Sequence, residues 1–201
     1  MDIIKTAAEF MAMSALTAPK TRGRDSIATR ILSDPSDLET LAAAMEEDAK
    51  QPLKSNFGRD AKNIRASRCV VFVYLKEIPN PGLNCGACGF PTCEAMLSRR
   101  SSLTEKSSLT EERPSAEECS LVEDSPFMEN PSLKSGPFCA WQIVDLGIAT
   151  GSAVKTASLH NVDNRIMYSA AQTACRLGFI PSCMASAIPL QATSKSIYFD
   201  R

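Results

Sequence analysis

The feature that most constrains this chain is a tight group of cysteines near its middle. Of eight cysteines in 201 residues, three lie within nine positions, at Cys85, Cys88 and Cys93, in the spacing C-x2-C-x4-C. Thiolates spaced in this way can bind adjacent corners of an iron–sulfur cubane. Gly86 and Gly89 lack a Cβ, so the backbone can turn sharply and direct N–H groups toward a cluster. The spacing therefore predicts a [4Fe–4S] cluster bound by these three cysteines and a later one.

Two later cysteines are candidates for the fourth ligand. Cys139 follows Gly136-Pro137 at the start of a predicted helix, whereas Cys119 lies in a Ser/Glu-rich segment whose composition predicts mobility. A ligand on a mobile segment costs ordering entropy, while a longer loop adds little because closure entropy grows only logarithmically. We therefore prefer Cys139 and keep Cys119 as the alternative.

The cysteines also allow other interpretations. Zinc binds four thiolates as well, although zinc sites usually combine two close cysteine pairs and this chain has one. A disulfide framework is typical of short exported chains, but Asp2, Lys5 and Glu9 interrupt the N-terminal apolar pattern, unlike a secretory signal. Structural zinc is thus the main alternative to a cluster. The remaining cysteines lie in apolar segments and are predicted to be small core residues: Cys69, Cys175 and Cys183.

Composition bears on partners and location. The formal net charge is −1, so no overall positive charge favours nucleic acid or an anionic membrane. No apolar run approaches the roughly 20 residues of a transmembrane helix. The single histidine, His160, excludes a site built on two imidazoles of this chain. We therefore expect a cytoplasmic protein with no nucleic-acid partner and no membrane insertion.

The remainder of the chain predicts an α+β body that the cysteine segment interrupts. We assign residues 1–78 and 140–201 to the body and residues 79–139 to the cluster-binding segment. Within that segment, residues 98–135 are dominated by serine, glutamate, lysine and proline, and they predict an exposed loop insertion.

Hydrophobic periodicity predicts the elements of the body. Cys69–Leu75 is a continuous β-prone run that suits a strand buried on both faces. Gly147 and Gly151 share one side of a predicted helix and should permit close packing against a neighbouring element. Four helices are predicted: over 2–17, after a Ser36/Glu39 capping box, over 140–158 and from Asp163 to Leu177. Further strands are predicted over 26–32, 182–188 and 196–199. Residues 50–67 are predicted to be loop.

Two stretches of the sequence resemble known families. CGACGFPTC, residues 85–93, closely resembles the [4Fe–4S] domain of corrinoid iron–sulfur proteins and of electron-transport complex subunits. GPFCAWQIVDLGIATGSAVKTASLHNVDNRIMYSAA and the ending KSIYFDR resemble a family of prokaryotic-type proteins that contain a ferredoxin domain. In that family a Gly-Pro-x-Cys element precedes the DLGIA helix, which here is Gly136–Cys139. In the simpler [4Fe–4S] domain, the separation between the third and fourth cysteines is closer to that between Cys93 and Cys119 than to that between Cys93 and Cys139. The resemblance covers most of the chain, which departs from it by the long insertion after Cys93.

A basic loop after the first predicted helix carries a weaker resemblance. Residues 18–24, APKTRGR, are similar to the alanine–proline segment after the first helix of nitroreductase-like flavoproteins. This similarity implies a nitroreductase-like body in which Lys20, Arg22 or Arg24 would bind a flavin phosphate. The alternative is a solvated basic loop.

These observations lead to one main functional prediction. The chain is expected to hold one [4Fe–4S] cluster with Cys85, Cys88, Cys93 and Cys139 and to transfer single electrons to a redox partner protein. The resemblance to the corrinoid-protein domain implies that the partner could carry a corrinoid. The alternative is an iron–sulfur flavoenzyme that acts as an oxidoreductase, and a homo-oligomer is compatible with either reading.

Overall fold

A four-stranded sheet lies at the centre of the protein, in a computed structural model that describes residues 2–76, 80–108, 136–182 and 184–199. Every neighbouring pair of strands is antiparallel. Together with six α-helices in the described residues, the sheet confirms the predicted α+β class. The strands run in the order β1 (Ile27–Leu32), β2 (Cys69–Leu75), β4 (Ala185–Gln191) and β3 (Asp163–Asn164).

Strand β2 is the centre of the hydrophobic core because all of its residues are buried. Its side chains alternate between the two faces of the sheet, as the pleat of a strand requires. Val70 and Phe72 pack into one apolar cluster, whereas Val71 and Val73 pack into a second cluster on the opposite face. The strand is therefore buried on both faces, as its composition predicted.

Helices cover both faces of the sheet. The face of Phe72 is covered by α2 (Pro35–Asp48), α3 (Asn56–Arg65) and α6 (Tyr168–Arg176). The face of Val71 is covered by α1 (Ile3–Thr17) and α5 (Ala140–Leu159). The remaining helix is α4 (Cys93–Ser108), and none of its described side chains belongs to either cluster. None of the helices in the described residues has the length and apolarity needed to cross a bilayer.

Helices α1 and α5 are antiparallel neighbours. Ser14 Oγ lies 2.7 Å from Thr156 Oγ1, and the Phe10 ring stacks on the His160 ring with centroids 5.8 Å apart. Alanine dominates the buried sides of both helices, so their backbones can lie close to the sheet. This packing holds α5, the helix that follows Cys139, against α1.

One predicted element in the first half of the chain is wrong, and one predicted helix begins earlier than expected. Residues 50–67 contain a helix rather than loop alone, because Phe57, Ala61 and Ile64 recur at helical spacing and are buried in α3. Helix α2 begins one residue earlier than the proposed capping box. Its N-cap is Asp34, whose carboxylate accepts a hydrogen bond from Ser36 N at 2.8 Å.

Three predictions near the C-terminus differ from the structure. Residues 196–199 form no strand, and Tyr198 is buried with its hydroxyl 2.9 Å from Ser67 Oγ. Asp163 lies in β3 instead of capping a helix, and α6 begins only at Tyr168. The strand expected over 182–188 is β4, which begins at Ala185 and continues to Gln191.

Helix α4 continues beyond the predicted start of the Ser/Glu-rich insertion. The insertion was expected to be loop from residue 98, but the helix extends to Ser108. Residues 98–108 contain helix-forming Arg, Leu, Glu and Lys and no Pro or Gly, which explains the extension. The rest of the insertion, with Cys119, lies outside the described residues.

The two glycines of α5 do not pack as predicted. Gly147 and Gly151 lie on the exposed side of the helix, and no described heavy atom lies within 4 Å of a Cβ built at either position. The expectation of close packing within the chain is therefore wrong.

The cysteines outside the motif differ from one another. Cys69 is fully buried and free, as expected of a core residue. Cys175 is also buried in the core, as predicted, and it is disulfide-bonded. Cys183 lies outside the described residues.

We expect Phe72→Ala to lower the free energy of unfolding by about 3–5 kcal/mol, because it empties a fully buried position on the central strand. Urea denaturation followed by circular dichroism measures the change. Leu53→Ala, at a fully exposed position, is the matched control and should change stability by no more than about 0.5 kcal/mol. Equal losses in the two variants would contradict this assignment of the core.

Candidate metal centre

The segment before α4 is a loop that contains several turns at glycine and asparagine residues. Gly82, Gly86 and Gly89 have φ of +69°, +73° and +84°, and Asn84 has φ of +48°. These left-handed conformations suit glycine and are tolerated by asparagine. Gly89 N donates to Gly86 O at 2.9 Å and closes a tight turn that includes Cys88. The loop therefore folds back on itself between the first two cysteines and the third.

Asn84 holds the two ends of this loop together. Its side-chain Oδ1 accepts a hydrogen bond from Cys93 N at 2.9 Å. Its backbone N donates to Cys93 Sγ at 3.3 Å. The third cysteine is thus placed next to the residue that precedes the first one, and its sulfur already accepts a backbone N–H hydrogen bond.

Cys93 also occupies the first position of helix α4. Thr92 Oγ1 accepts a hydrogen bond from Ala95 N at 3.1 Å, in the manner of an N-cap side chain. The positive end of the helix dipole favours negative charge at this position. Cys139 stands at the N-cap of α5, so it shares this electrostatic environment.

Arg100 connects the helix of Cys93 to the segment that leads to Cys139. Its Nε donates to Pro137 O at 2.8 Å. The guanidinium lies 5.1 Å from the centroid of the Phe138 ring, a cation–π contact. Although Arg100 belongs to α4, only 6% of it is exposed, so this connection is internal.

A single hollow brings together the four cysteines that the sequence proposed. Cys93 and Cys139 are buried at its base, Cys88 is half-buried and Cys85 is exposed at its rim. No three Cys, His, Asp or Glu side chains within the described ranges are arranged to share one metal ion. The remaining walls are mostly apolar: Leu83, Ala87, Phe90, Met96, Ala140 and Trp141, with Gly86 and Thr92.

The basic loop predicted to bind a flavin phosphate contacts the cysteine loop directly. Arg22 Nη1 donates to Pro81 O and Gly82 O, both at 3.3 Å. Arg24 Nη1 donates to the carbonyl oxygen of Asn80 at 2.8 Å. Both arginines are exposed but are not merely solvated, because each guanidinium holds backbone carbonyls of the neighbouring loop.

Lys20, the third cation of the basic loop, points back along the chain. Its Nζ donates to Leu16 O and Ala18 O at the end of α1. A lysine at this position complements the negative end of the helix dipole.

Asp145 is a site residue that sequence analysis missed. It lies on α5 and is 3% exposed. Its Oδ1 accepts hydrogen bonds from Thr21 N and Thr21 Oγ1, both at 2.9 Å, and its Oδ2 accepts one from Ser26 Oγ at 3.3 Å. The available signal was a lone acidic residue in an apolar helix, since such a charge is buried only with partners.

A crevice adjoins the cysteine hollow. Leu83, Cys139 and Trp141 line both of them. The crevice is otherwise lined by Thr21, Arg22, Arg24, Pro81, Gln142 and Asp145. The basic loop and the fourth cysteine therefore share one wall.

Comparisons with known proteins agree with this geometry. Residues 135–201 match the family described as "Uncharacterized protein containing a ferredoxin domain (DUF2148)". Residues 81–99 match a second family, described as "Putative Fe-S cluster". An uncharacterized protein of Archaeoglobus fulgidus is 37% identical over 199 residues, which cover 98% of this chain and 91% of the relative. The chain belongs to the ferredoxin-domain family.

Membership of the ferredoxin-domain family makes the cysteine segment an iron–sulfur domain. The match over residues 81–99 includes Cys85, Cys88 and Cys93, and the match over 135–201 begins just before Cys139. The insertion that carries Cys119 falls between the two matched segments.

Several solved structures are similar in fold at low sequence identity. Two are described as "Putative NADH dehydrogenase/NAD(P)H nitroreductase". The one from Parabacteroides distasonis is 12% identical, with a TM-score of 0.48 over 95% of this chain and 76% of that chain. The one from Bacteroides thetaiotaomicron is 12% identical, with a TM-score of 0.49 over 98% of this chain and 79% of that chain. NfrA1 of B. megaterium is 11% identical, with a TM-score of 0.46 over 95% of this chain and 60% of that chain.

We expect Asp145→Ala to release the basic loop, because Thr21 and Ser26 lose their common acceptor. Loss of a hydrogen bond to a charged group should speed amide exchange at Thr21 about tenfold or more. Hydrogen–deuterium exchange read at residue resolution by NMR measures this change. Asp145→Asn keeps one side-chain oxygen acceptor and is the matched control, with a smaller effect. Unchanged exchange at Thr21 in the alanine variant would contradict the role given to Asp145.

The free cysteines should differ sharply in reactivity toward iodoacetamide in the folded, metal-free protein near pH 7. Burial raises the pKa of Cys69 to about 12, so this thiol stays protonated and inaccessible. Cys85 is exposed. Because alkylation requires an accessible thiolate, we expect Cys85 to be labelled and Cys69 to be spared. Mass spectrometry of labelled peptides measures the result, and labelling in urea is the control. Equal labelling of both cysteines without urea would contradict the burial of Cys69.

Proposed function

We propose that Cys85, Cys88, Cys93 and Cys139 bind one [4Fe–4S] cluster and that the protein transfers single electrons to a partner protein. The observation that carries the proposal is the position of Cys139. Although it is distant in sequence from the motif, it lines the same hollow as the three motif cysteines. Four thiols around one hollow match the donor set that a cubane cluster uses.

The surroundings of the thiols fit such a cofactor. The four ligands of a cubane bind four different iron atoms, so they surround the cluster and do not converge on one ion. When bound, a [4Fe–4S] cluster accepts and releases single electrons. Asn84 N already donates to Cys93 Sγ, a contact that raises the reduction potential of a thiolate-bound cluster. Met96, Phe90 and Leu83 would limit the access of water from the apolar side of the hollow.

The exposed rim indicates where electrons would enter and leave. Cys93 and Cys139 lie at the buried base, whereas Cys85 is exposed. A redox partner protein would therefore approach the Cys85 side of the hollow. We place this activity in the cytoplasm, where reducing conditions keep clustered thiols available as metal ligands.

An iron–sulfur flavoenzyme is the second candidate function. The observation that favours it is the crevice beside Cys139, which Arg22 and Arg24 line. A guanidinium has five donors, so each arginine can hold a loop carbonyl and still contact an anionic group such as a flavin phosphate. Flavin bound there would lie next to the fourth cysteine and could exchange electrons with the cluster.

Anaerobic reconstitution with iron and sulfide tests the cluster and its ligands. We expect about four irons and four acid-labile sulfides per chain and an EPR signal on reduction. Cys139→Ser should lose most of the iron, whereas Cys119→Ser and the core control Cys69→Ala should retain it. Retention by Cys139→Ser with loss in Cys119→Ser would transfer the fourth ligand to Cys119. Stoichiometric zinc without sulfide would instead make the site structural.

Flavin content separates the two candidate functions in the same preparation. An electron-transfer protein should contain no flavin after purification and should not change flavin fluorescence when FMN is added. Stoichiometric FMN that is lost in an Arg22→Ala/Arg24→Ala variant, with iron retained, would favour the flavoenzyme.

A further inference from the structure

The outer surface of helices α1 and α5, here named the α1/α5 face, is apolar. On α5, Trp141, Ile143, Val144 and Ile148 are each between 42% and 46% exposed. On α1, Phe10 and Met13 are 44% and 55% exposed. Because the two helices are antiparallel neighbours, these side chains belong to one layer of the protein. Exposed apolar groups concentrated in this way mark an interaction surface rather than ordinary solvent-facing helices.

The helical layer on the opposite face of the sheet, which includes α2 and α3, has a charged outer surface. There Arg65 forms ion pairs with Glu39 and Glu46, both at 2.7 Å. Glu47 pairs with Lys50 at 2.7 Å on the same helical layer. The two sides of the sheet are therefore covered by helices of different outer chemistry, one charged and one apolar.

Gly147 and Gly151 give the α1/α5 face its shape. Both are exposed, and a Cβ added at either position would meet no described heavy atom within 4 Å. Glycine costs helix stability, and no contact among the described residues accounts for two glycines on an outer helix surface. Flanked by Val144 and Ile148, they form a shallow furrow in which another helix can approach the α5 backbone closely.

We propose that the α1/α5 face is the contact surface between two copies of this chain. Transient electron-transfer complexes bury small interfaces and are guided by charge, whereas the interfaces of stable homodimers are more apolar. The charged residues exposed on these two helices are only Lys5, Glu9 and Lys155, which include both signs. An apolar surface with almost no net charge is complementary to itself, as a two-fold interface requires.

The proposed interface would reach the cysteine hollow. Trp141 belongs to the α1/α5 face and also lines the hollow beside Cys139. A second copy seated on this face would therefore cover part of the rim on the Trp141 side. The Cys85 side would stay open to a redox partner. The identity of the cofactor does not affect this contact surface, because side chains of α1 and α5 form it.

Sedimentation velocity of the full chain after reconstitution, over roughly a hundredfold range of concentration, tests the proposal. We expect a dimer whose dissociation constant rises about tenfold or more in Ile148→Glu, because a two-fold interface would receive two like charges. Leu53→Glu introduces the same charge at a fully exposed position outside this face and should leave the dimer unchanged.

Gly151→Leu provides a test that is independent of charge. Leucine raises helix propensity and finds open space in the single chain, so thermal stability of the monomer should not fall. The same change fills the furrow and should weaken the dimer about tenfold or more. Matching circular dichroism spectra and iron contents would verify that both variants are folded.

Three outcomes would overturn the proposal. The first is a wild-type chain that stays monomeric over the whole concentration range. The second is an Ile148→Glu variant that dimerises as tightly as wild type. The third is a monomer that binds a different protein through Ile148, because the occupant would then not be a second copy.

Discussion

The arrangement of the cysteine hollow depends on one buried carboxylate. Asp145 is almost fully enclosed, and a charge in such a place requires donors, which Thr21 and Ser26 supply through three hydrogen bonds. This contact fixes the basic loop to α5, the helix that begins at Cys139. Arg22 and Arg24 of the same loop then hold the carbonyls of residues 80–82, just before Cys85. One side chain therefore relates the fourth cysteine to the loop that carries the other three.

The body and the cysteine hollow are stabilised by different interactions. Two apolar clusters on the faces of the sheet hold the helices α1, α2, α3, α5 and α6 in place. No described side chain of the cysteine loop or of α4 belongs to either cluster, and arginine side chains that donate to backbone carbonyls connect these segments to their neighbours. Arg100 performs this role between α4 and Pro137, as Arg22 and Arg24 do on the other side. A guanidinium suits the task because its donors are rigid and always charged.

This division explains why the two helical layers can differ so strongly. The layer of α2 and α3 carries ion pairs on its outer surface. The layer of α1 and α5 packs well against the sheet through alanines but leaves Val144, Ile148 and Met13 exposed. Burial of that surface between two copies would complete the second layer. It would also place the Trp141 edge of each hollow beside the dimer contact.

The sequence by itself determined the central strand, the helix after Cys139, the α+β class and the family, because periodicity and motif spacing are local. It also identified the cysteines that could share one hollow. Only the tertiary structure revealed Asp145, Asn84 and Arg100, since their roles depend on contacts between distant segments. The helix over 56–65 is missing from the sequence prediction because it has few apolar residues, although Phe57, Ala61 and Ile64 recur at helical spacing. The outward position of Gly147 and Gly151 was likewise decided by packing, because periodicity shows that two residues share a side of a helix but not which side faces the core.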